Sequence, residues 1–149
     1  MKTIREELFS GIDFGSLVSN EDFKEDSVRE TIILPILKRL GYTDENIVRS
    51  KKLEHPILKL GSNKKIPITL IPDYLLRSDV GYLFVLDAKS PRNKITDSEN
   101  VEQVYSYAMH PEVYCSFFAL CNGISFSLYR TSDPREPLLF FDLSDIDDH

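Results

Sequence analysis

Three residues in the middle of the chain, Asp73, Asp87 and Lys89, carry side chains that could do chemistry together. Asp87 and Lys89 end an apolar run, Tyr82 to Leu86, whose aromatic and β-branched composition is typical of a buried strand. Because side chains alternate across a strand, Asp87 and Lys89 project from one face while Ala88 points to the other. Taken alone, the pair is more simply explained as a solvated ion pair, which contributes little to stability.

Asp73 shifts that balance towards a functional site. It lies in a second strand-like run, Ile68 to Leu76, which the short polar loop Arg77-Ser78-Asp79 joins to the first. Two runs joined in this way form an antiparallel hairpin, which can bring Asp73 beside Asp87. Pro72 removes one ladder donor and indicates a bulge or an edge near the acid. Two carboxylates beside a lysine form a hard-oxygen site for Mg²⁺, with a cation that can serve phosphate chemistry.

Length and composition are those of one soluble domain. We expect a single domain over residues 1–149, with a core at about 25–143, an N-terminal extension at 1–24 and a fraying acidic tail at 144–149. No apolar run approaches the roughly 18–20 residues of a membrane span, so we expect a cytoplasmic protein with no membrane partner. The net charge of −6 argues against a protein that coats nucleic acid by bulk electrostatics.

Cysteines and histidines suggest no further site. Cys115 and Cys121 fall in one strand-like segment, which holds them too far apart for a disulfide, so we expect buried thiols. The histidines, His55, His110 and His149, show no ligand spacing, and surface roles are expected for them.

Helices and strands are predicted on both sides of the aspartates. A helix from Asp26 or Ser27 to Leu40, with Pro35 kinking it, carries Glu30 near its start. Alone, that acid is best explained as a solvated first-turn residue favoured by the helix dipole. The other predicted elements are a short helix at Thr3 to Phe9, a strand at Ile47 to Leu53, a helix from Asp97 or Ser98 to His110, and strands at Tyr114 to Cys121, Ile124 to Tyr129 and Leu138 to Leu143. On the later helix Gln103 and Tyr107 are four residues apart and share a face.

The order of these residues resembles that of the PD-(D/E)xK nucleases. The matching positions are Glu30 on a first helix, Pro72-Asp73 at a strand, Asp87-Ala88-Lys89 on the next strand and Gln103-x-x-x-Tyr107 on the following helix. More closely, the chain resembles the N-terminal nuclease domain of type I restriction-enzyme R (motor) subunits, through Ile36-Leu37-Lys38-Arg39-Leu40-Gly41-Tyr42 and Ala119-Leu120-Cys121-Asn122-Gly123. The resemblance spans about residues 25 to 130. It departs at Asp87, where Glu is the more frequent acid.

This resemblance implies an α/β, restriction-endonuclease-like fold with a mixed central β-sheet flanked by helices. It also implies Mg²⁺-dependent hydrolysis of DNA phosphodiesters, with Mn²⁺ as an alternative cofactor. Carried over position by position, Asp73, Asp87 and the Ala88 carbonyl would hold the metal, and Glu30 would ligate a metal or orient its water. Lys89 would position or activate the attacking water and stabilise the charge that develops on the phosphate. Gln103 would face the site, and Tyr107 would support Gln103 or touch backbone.

Two other classes of function remain open. The chain could be a catalytically silent nuclease-fold module that binds DNA or other subunits of a defence complex, or an unrelated interaction domain with surface acids. In the family that it resembles, translocase domains follow the nuclease domain on one polypeptide. No Gly-x-x-x-x-Gly-Lys-Ser/Thr phosphate loop is present here, so we expect an excised piece or a small stand-alone relative that relies on partners for delivery to DNA.

Overall fold

A computed structural model describes residues 1–147 and has a mixed α/β architecture. The strands are β1 (Ile47–Arg49), β2 (Leu53–Leu60), β3 (Ile66–Leu70), β4 (Tyr74–Ser78), β5 (Gly81–Ala88), β6 (Phe117–Cys121), β7 (Ser125–Arg130) and β8 (Leu139–Asp142). The helices are α1 (Ile4–Leu8), α2 (Glu25–Val28), α3 (Leu34–Arg39) and α4 (Ser98–Ala108), with a π-helical turn at Arg29–Ile33 and 3₁₀ turns at Phe14–Ser16 and Leu143–Asp145. The predicted α/β class is confirmed.

Six strands form one mixed sheet in the order β1-β4-β5-β6-β7-β8. All neighbours are antiparallel except β5 and β6, which are parallel and are connected through α4. Because β4 runs opposite to β5, the start of β4 lies beside the end of β5, and Tyr74 pairs with Leu86. The antiparallel hairpin predicted from the two apolar runs is therefore confirmed, and it closes through a turn at Asp79-Val80.

Two hydrophobic cores cover the two faces of this sheet. On one face, Val28, Ile32 and Leu37 of the N-terminal helical segment pack on Leu86 and neighbouring strand residues. On the other face, α4 buries Val104, Tyr107 and Ala108 against Val85 and Phe118. Alternation along β5 gives each core every second residue, so Asp87 and Lys89 belong to the α4 face.

The helix predicted from Asp26 or Ser27 to Leu40 forms as three consecutive pieces, α2, the π-helical turn and α3. Pro35 lies in the first turn of α3, directly after the π-helical turn. A residue without an N–H breaks the α-helical ladder, and a wider turn is one way in which a helix accommodates it. Gly41, at φ 96°, follows the helix end in the left-handed conformation expected of a C′ glycine.

The predicted strands before Asp73 are wrong in detail. The strand expected at Ile47 to Leu53 ends at Arg49, because Ser50 adopts φ 50°, and Leu53 begins a new strand. The run Ile68 to Leu76 is split, with residues up to Leu70 in β3 and Tyr74 opening β4. β2 and β3 form a separate two-stranded antiparallel sheet that the sequence did not reveal.

The C-terminal half follows the prediction more closely. The Asn122-Gly123 turn connects β6 and β7, with the Asn122 side-chain oxygen accepting from the backbone N–H groups of Ile124 and Ser125. β8 is the last strand of the sheet, as expected of an edge. In the acidic tail, for which fraying is predicted, Ser144 and Asp145 belong to the 3₁₀ turn Leu143–Asp145, and the last two residues, Asp148 and His149, lie outside the described residues.

Other sequence expectations concern cysteines, histidines and membranes. Cys115 and Cys121 are free and buried, as expected. His110 is buried rather than on the surface, and its two ring nitrogens bind the Glu54 carbonyl and the Glu112 backbone N–H. Among the described residues, no helix combines the length and apolar character that crossing a membrane requires.

Candidate active site

The two aspartates meet where β4 begins and β5 ends, and each contacts the backbone of the other's strand. The backbone N–H of Asp73 donates to Oδ1 of Asp87 at 3.1 Å. The backbone N–H of Ala88 donates to Oδ2 of Asp73 at 2.7 Å. Both residues are buried. The break between β3 and β4 frees the Asp73 amide from the sheet ladder, so that it can bind the carboxylate.

Lys89 continues the cluster towards α4. Its Nζ lies 3.2 Å from Oδ2 of Asp87 and donates to Oε1 of Gln103 at 2.6 Å. The amide nitrogen of Gln103 donates in turn to the Tyr107 hydroxyl at 2.8 Å. The side chains of Lys89 and Asp87 are only 10% and 5% exposed. The solvated ion pair, which is the simpler interpretation of the sequence, is therefore wrong.

The structure brings together Asp73, Asp87, Ala88, Lys89, Gln103 and Tyr107, but not Glu30. Within residues 1–147, Glu30 is exposed and makes no hydrogen bond or ion pair with either aspartate. Its neighbour Arg29 points to Asp73, and adjacent helical side chains project roughly 100° apart, which turns Glu30 away. The charge of Glu30 acts instead on Tyr74, whose pKa is raised by burial and then by that charge.

Two charged residues that the sequence did not single out lie at the site. The Arg29 guanidinium donates to Oδ1 of Asp73 at 2.8 Å. Glu25, one helical turn earlier, has a raised pKa because of partial burial and the nearby charge of Asp73. Glu25 and Arg29 are four residues apart on one helix face, which was the available signal.

Burial shapes the titration of the site. Desolvation, followed by the negative charge of Asp73, raises the pKa of Asp87 to about 7, although Lys89 opposes the shift. Desolvation and then the charge of Asp87 raise the pKa of Tyr107 to about 12. Near neutral pH, Tyr107 therefore stays protonated, and its hydroxyl oxygen can accept the hydrogen bond from Gln103.

The donor set fits a divalent cation held in part by other ligands. In the part of the chain that the structure describes, no three His, Cys, Asp or Glu side chains are arranged around a common metal position. Mg²⁺ usually needs only one or two carboxylates, together with waters and substrate phosphates. Burial and the charge of Asp73 raise the pKa of Asp87 although Lys89 opposes the shift, and a divalent cation between the two carboxylates would favour their charged forms.

The direction of the Asp87 shift gives a prediction for metal-free protein. The folded state binds this proton more tightly than the unfolded chain does, so the resulting stability is full below about pH 4 and is lost as pH rises through about 7. We expect the free energy of unfolding in EDTA to fall between about pH 5 and 8 by up to a few kcal/mol more in the wild type than in Asp87→Asn. Urea unfolding at several pH values measures this difference. If the free energy of unfolding changes equally with pH in the two proteins, burial does not raise the pKa of Asp87 as described.

The basic residues that flank the two aspartates in the sequence either bind other parts of the chain or are exposed. Arg92 donates to the backbone carbonyls of Val18, Asn20 and Phe23, so it fixes the N-terminal segment. Lys52, Lys64, Lys65 and Lys94 are exposed. Arg49 is exposed beside Asp44, at 3.9 Å between the charged atoms.

Comparison of the chain with protein-family models, with curated proteins and with solved structures gives no match. What the site can do is therefore inferred from the chemistry of the cluster itself.

Proposed function

We propose that this chain is a metal-dependent deoxyribonuclease domain with a restriction-endonuclease-like fold, similar to the nuclease domain of type I restriction R subunits. The observation that carries the proposal is the cluster at one end of the sheet, in which the buried residues Asp73, Asp87 and Lys89 form a chain of polar contacts. Gln103 extends this chain by accepting a hydrogen bond from the Lys89 ammonium. This is the end where the parallel strands β5 and β6 finish, which is where open α/β sheets bind their ligands.

A purely structural role accounts poorly for this cluster. Burying two carboxylates and an ammonium costs several kcal/mol per ion before their attraction is counted, and apolar residues of similar volume often stabilise such a place better. A pKa of about 7 for Asp87 means that burial of this acid opposes folding near neutral pH. Strongly shifted groups that have specific charged partners are enriched at functional sites.

Each residue has a role in the proposed hydrolysis. Asp73 and Asp87, with the Ala88 carbonyl, would hold Mg²⁺ or Mn²⁺, and the bound ion would supply Lewis-acid stabilisation of phosphate charge and a more acidic water. Lys89 positions the attacking water and stabilises negative charge on the scissile phosphate. Gln103 holds the Lys89 ammonium, and Tyr107 holds Gln103, so both act as positioning residues. In place of the predicted Glu30, Glu25 is the helix acid near enough to assist.

One observation favours a second candidate, a silent nuclease-fold module that binds DNA or other subunits without turnover. Arg29 and Lys89 each contact one oxygen of a carboxylate, Asp73 and Asp87 respectively, and a backbone N–H donates to the other oxygen of each. Such internal cations can satisfy the acids without a metal. A Mg²⁺ titration followed by thermal unfolding separates the candidates, because only a metal-binding protein gains stability as the ion is added.

Duplex cleavage tests the proposed function. Linear DNA incubated with the purified chain in Mg²⁺ should acquire strand breaks. EDTA should prevent this cleavage, and excess Mg²⁺ added after EDTA should restore it. Cleavage that persists in EDTA, or its absence at high enzyme concentration with Mg²⁺ or Mn²⁺, would count against a metal-dependent nuclease.

We expect the isolated chain to bind random duplex DNA weakly. The net charge is −6, and attraction to the phosphate backbone grows with the number of cations that contact it. Affinity measured by electrophoretic shift at physiological salt should therefore be no tighter than roughly 10⁻⁴–10⁻⁶ M. In the proposed function, partner subunits or translocase domains bring the site to DNA. Nanomolar binding to arbitrary sequence would contradict this dependence on delivery.

A further inference from the structure

The strongest charge asymmetry of the chain lies in the segment that contains β2, β3 and their connecting turn, here called the basic hairpin (residues 53–70). Together with Lys51 and Lys52, which precede it, the hairpin carries five lysines and one glutamate, a formal charge of +4. The whole chain carries −6, so all other residues together carry −10. The positive charge is therefore concentrated in one element of an otherwise acidic protein.

The hairpin also exposes more apolar surface than a solvated arm requires. Ile57, Leu58, Leu60 and Ile66 are 79%, 56%, 64% and 60% exposed. In the sequence, Leu58 and Leu60 flank Lys59, and Ile66 directly follows Lys64 and Lys65. Apolar side chains flanked by cations on a two-stranded ribbon are suited to duplex DNA, because the cations can contact phosphates and the apolar side chains can insert between base steps from the groove.

The base of the hairpin is fixed beside the proposed active site. Leu53 is fully buried in the core that α4 forms with the sheet. The His110 ring nitrogen Nε2 lies 2.6 Å from the Glu54 carbonyl, to which it donates, since Nδ1 accepts from the Glu112 backbone N–H. Just before the hairpin, the Ser50 N–H donates to the Asp73 carbonyl at 3.0 Å. The base of the hairpin therefore lies next to the chain segment that carries Asp73.

The free edges of the hairpin are poorly suited to pairing with another protein's strand. Pro56 and Pro67 lie in β2 and β3 and remove backbone donors. The register also shifts between Glu54 and Lys59, which interrupts the ladder. Prolines, irregular pairing and lysines are the features by which proteins block addition of further strands.

We propose that the basic hairpin is the arm by which this chain grips duplex DNA, with Lys59, Lys64 and Lys65 on phosphates and the exposed apolar side chains in the groove. This inference rests on the proposed function, because it names how the substrate of that site is held. Extended over eight residues at roughly 3.3 Å each, β2 reaches about 26 Å, enough to follow a groove along several base pairs.

The test measures binding without cleavage. Fluorescence anisotropy of a labelled duplex in EDTA, over a series of salt concentrations, compares the wild type with Lys59→Gln/Lys64→Gln/Lys65→Gln. A matched control, Lys2→Gln/Lys38→Gln/Arg130→Gln, removes the same charge at exposed positions outside the hairpin. We expect the hairpin variant to lose roughly tenfold or more in affinity, and the magnitude of the slope of log K against log salt to fall by about 2 to 3, while the control changes little.

A second variant tests the apolar side chains. Ile57→Ser/Leu58→Ser/Ile66→Ser should weaken DNA binding with the salt slope unchanged, because no phosphate contact is lost. All these positions are exposed, so circular dichroism and unfolding midpoints should match those of the wild type.

Several outcomes would overturn the inference. Equal affinity losses in the hairpin and control variants would mean that only net charge matters. Hairpin variants that lose self-association or binding to anionic lipid vesicles, but keep DNA binding, would assign the hairpin to a protein or membrane partner. The two proposals fail separately. If binding depends on the hairpin but no Mg²⁺-dependent cleavage occurs, only the proposed nuclease activity is contradicted. If cleavage occurs but binding does not depend on the hairpin, only the proposed role of the hairpin is contradicted.

Discussion

Asp73→Asn or Asp87→Asn should each lower DNA cleavage by at least about 10²-fold while the fold survives, because each removes an oxygen ligand from the proposed metal position. Asparagine keeps the size of the side chain, and an amide oxygen can still accept one of the backbone hydrogen bonds that join β4 and β5. Cleavage is measured on linear duplex DNA with Mg²⁺, and folding by circular dichroism.

The same variants should lose the stabilisation that Mg²⁺ gives to the wild type. A ligand at about 100 times its dissociation constant stabilises the protein that binds it by roughly 2.7 kcal/mol. Asp79→Asn is the matched control, since Asp79 is an exposed acid at the turn between β4 and β5, far from the cluster. If the unfolding midpoints of wild type, both variants and control rise equally with Mg²⁺, the metal site is elsewhere.

Lys89→Ala should abolish turnover and still bind Mg²⁺. Lys89 contacts Asp87 but cannot ligate a cation, so its removal takes away phosphate stabilisation and leaves both carboxylates. Affinity for Mg²⁺ should stay equal or rise, because a positive charge next to the metal position is gone. Isothermal titration measures the affinity, and Lys89→Met, which keeps most of the buried stem, guards against loss of packing.

Gln103→Ala gives a graded comparison for this role. It removes the 2.6 Å contact that orients the ammonium but leaves the ammonium itself, so the rate should fall less than in Lys89→Ala, with Mg²⁺ affinity unchanged. A folded Lys89→Ala that no longer binds Mg²⁺ would show that Lys89 organises the carboxylates, contrary to the role proposed here.

Much of the cluster was predictable because it depends on short, regular relations. Alternation along β5 puts Asp87 and Lys89 on one face, and the tight turn between β4 and β5 places Asp73 beside Asp87. Helical spacing puts Gln103 and Tyr107 on one face of α4.

The parts that could not be predicted depend on irregular backbone. The positive φ of Ser50 ends β1 early and starts the basic hairpin, where two prolines and many lysines obscure the alternation of a strand. Which helix acid approaches Asp73 depends on rotation about the helix axis, and a shift of one residue changes that rotation by roughly 100°. Arg29 and Glu25 consequently occupy the place that the sequence assigned to Glu30.

The most direct test of the proposed active site is the rate at which the chain, in excess over DNA, nicks a supercoiled plasmid. The excess of protein ensures that weak DNA binding does not limit this rate. Wild type, Lys89→Ala and the double variant Asp73→Asn/Asp87→Asn are compared in Mg²⁺ and in EDTA. We expect nicking by the wild type in Mg²⁺ alone, with no rate above background for either variant. Equal nicking by all three proteins, or no nicking by a wild type that demonstrably binds both Mg²⁺ and DNA, would contradict a nuclease centre built on Asp73, Asp87 and Lys89.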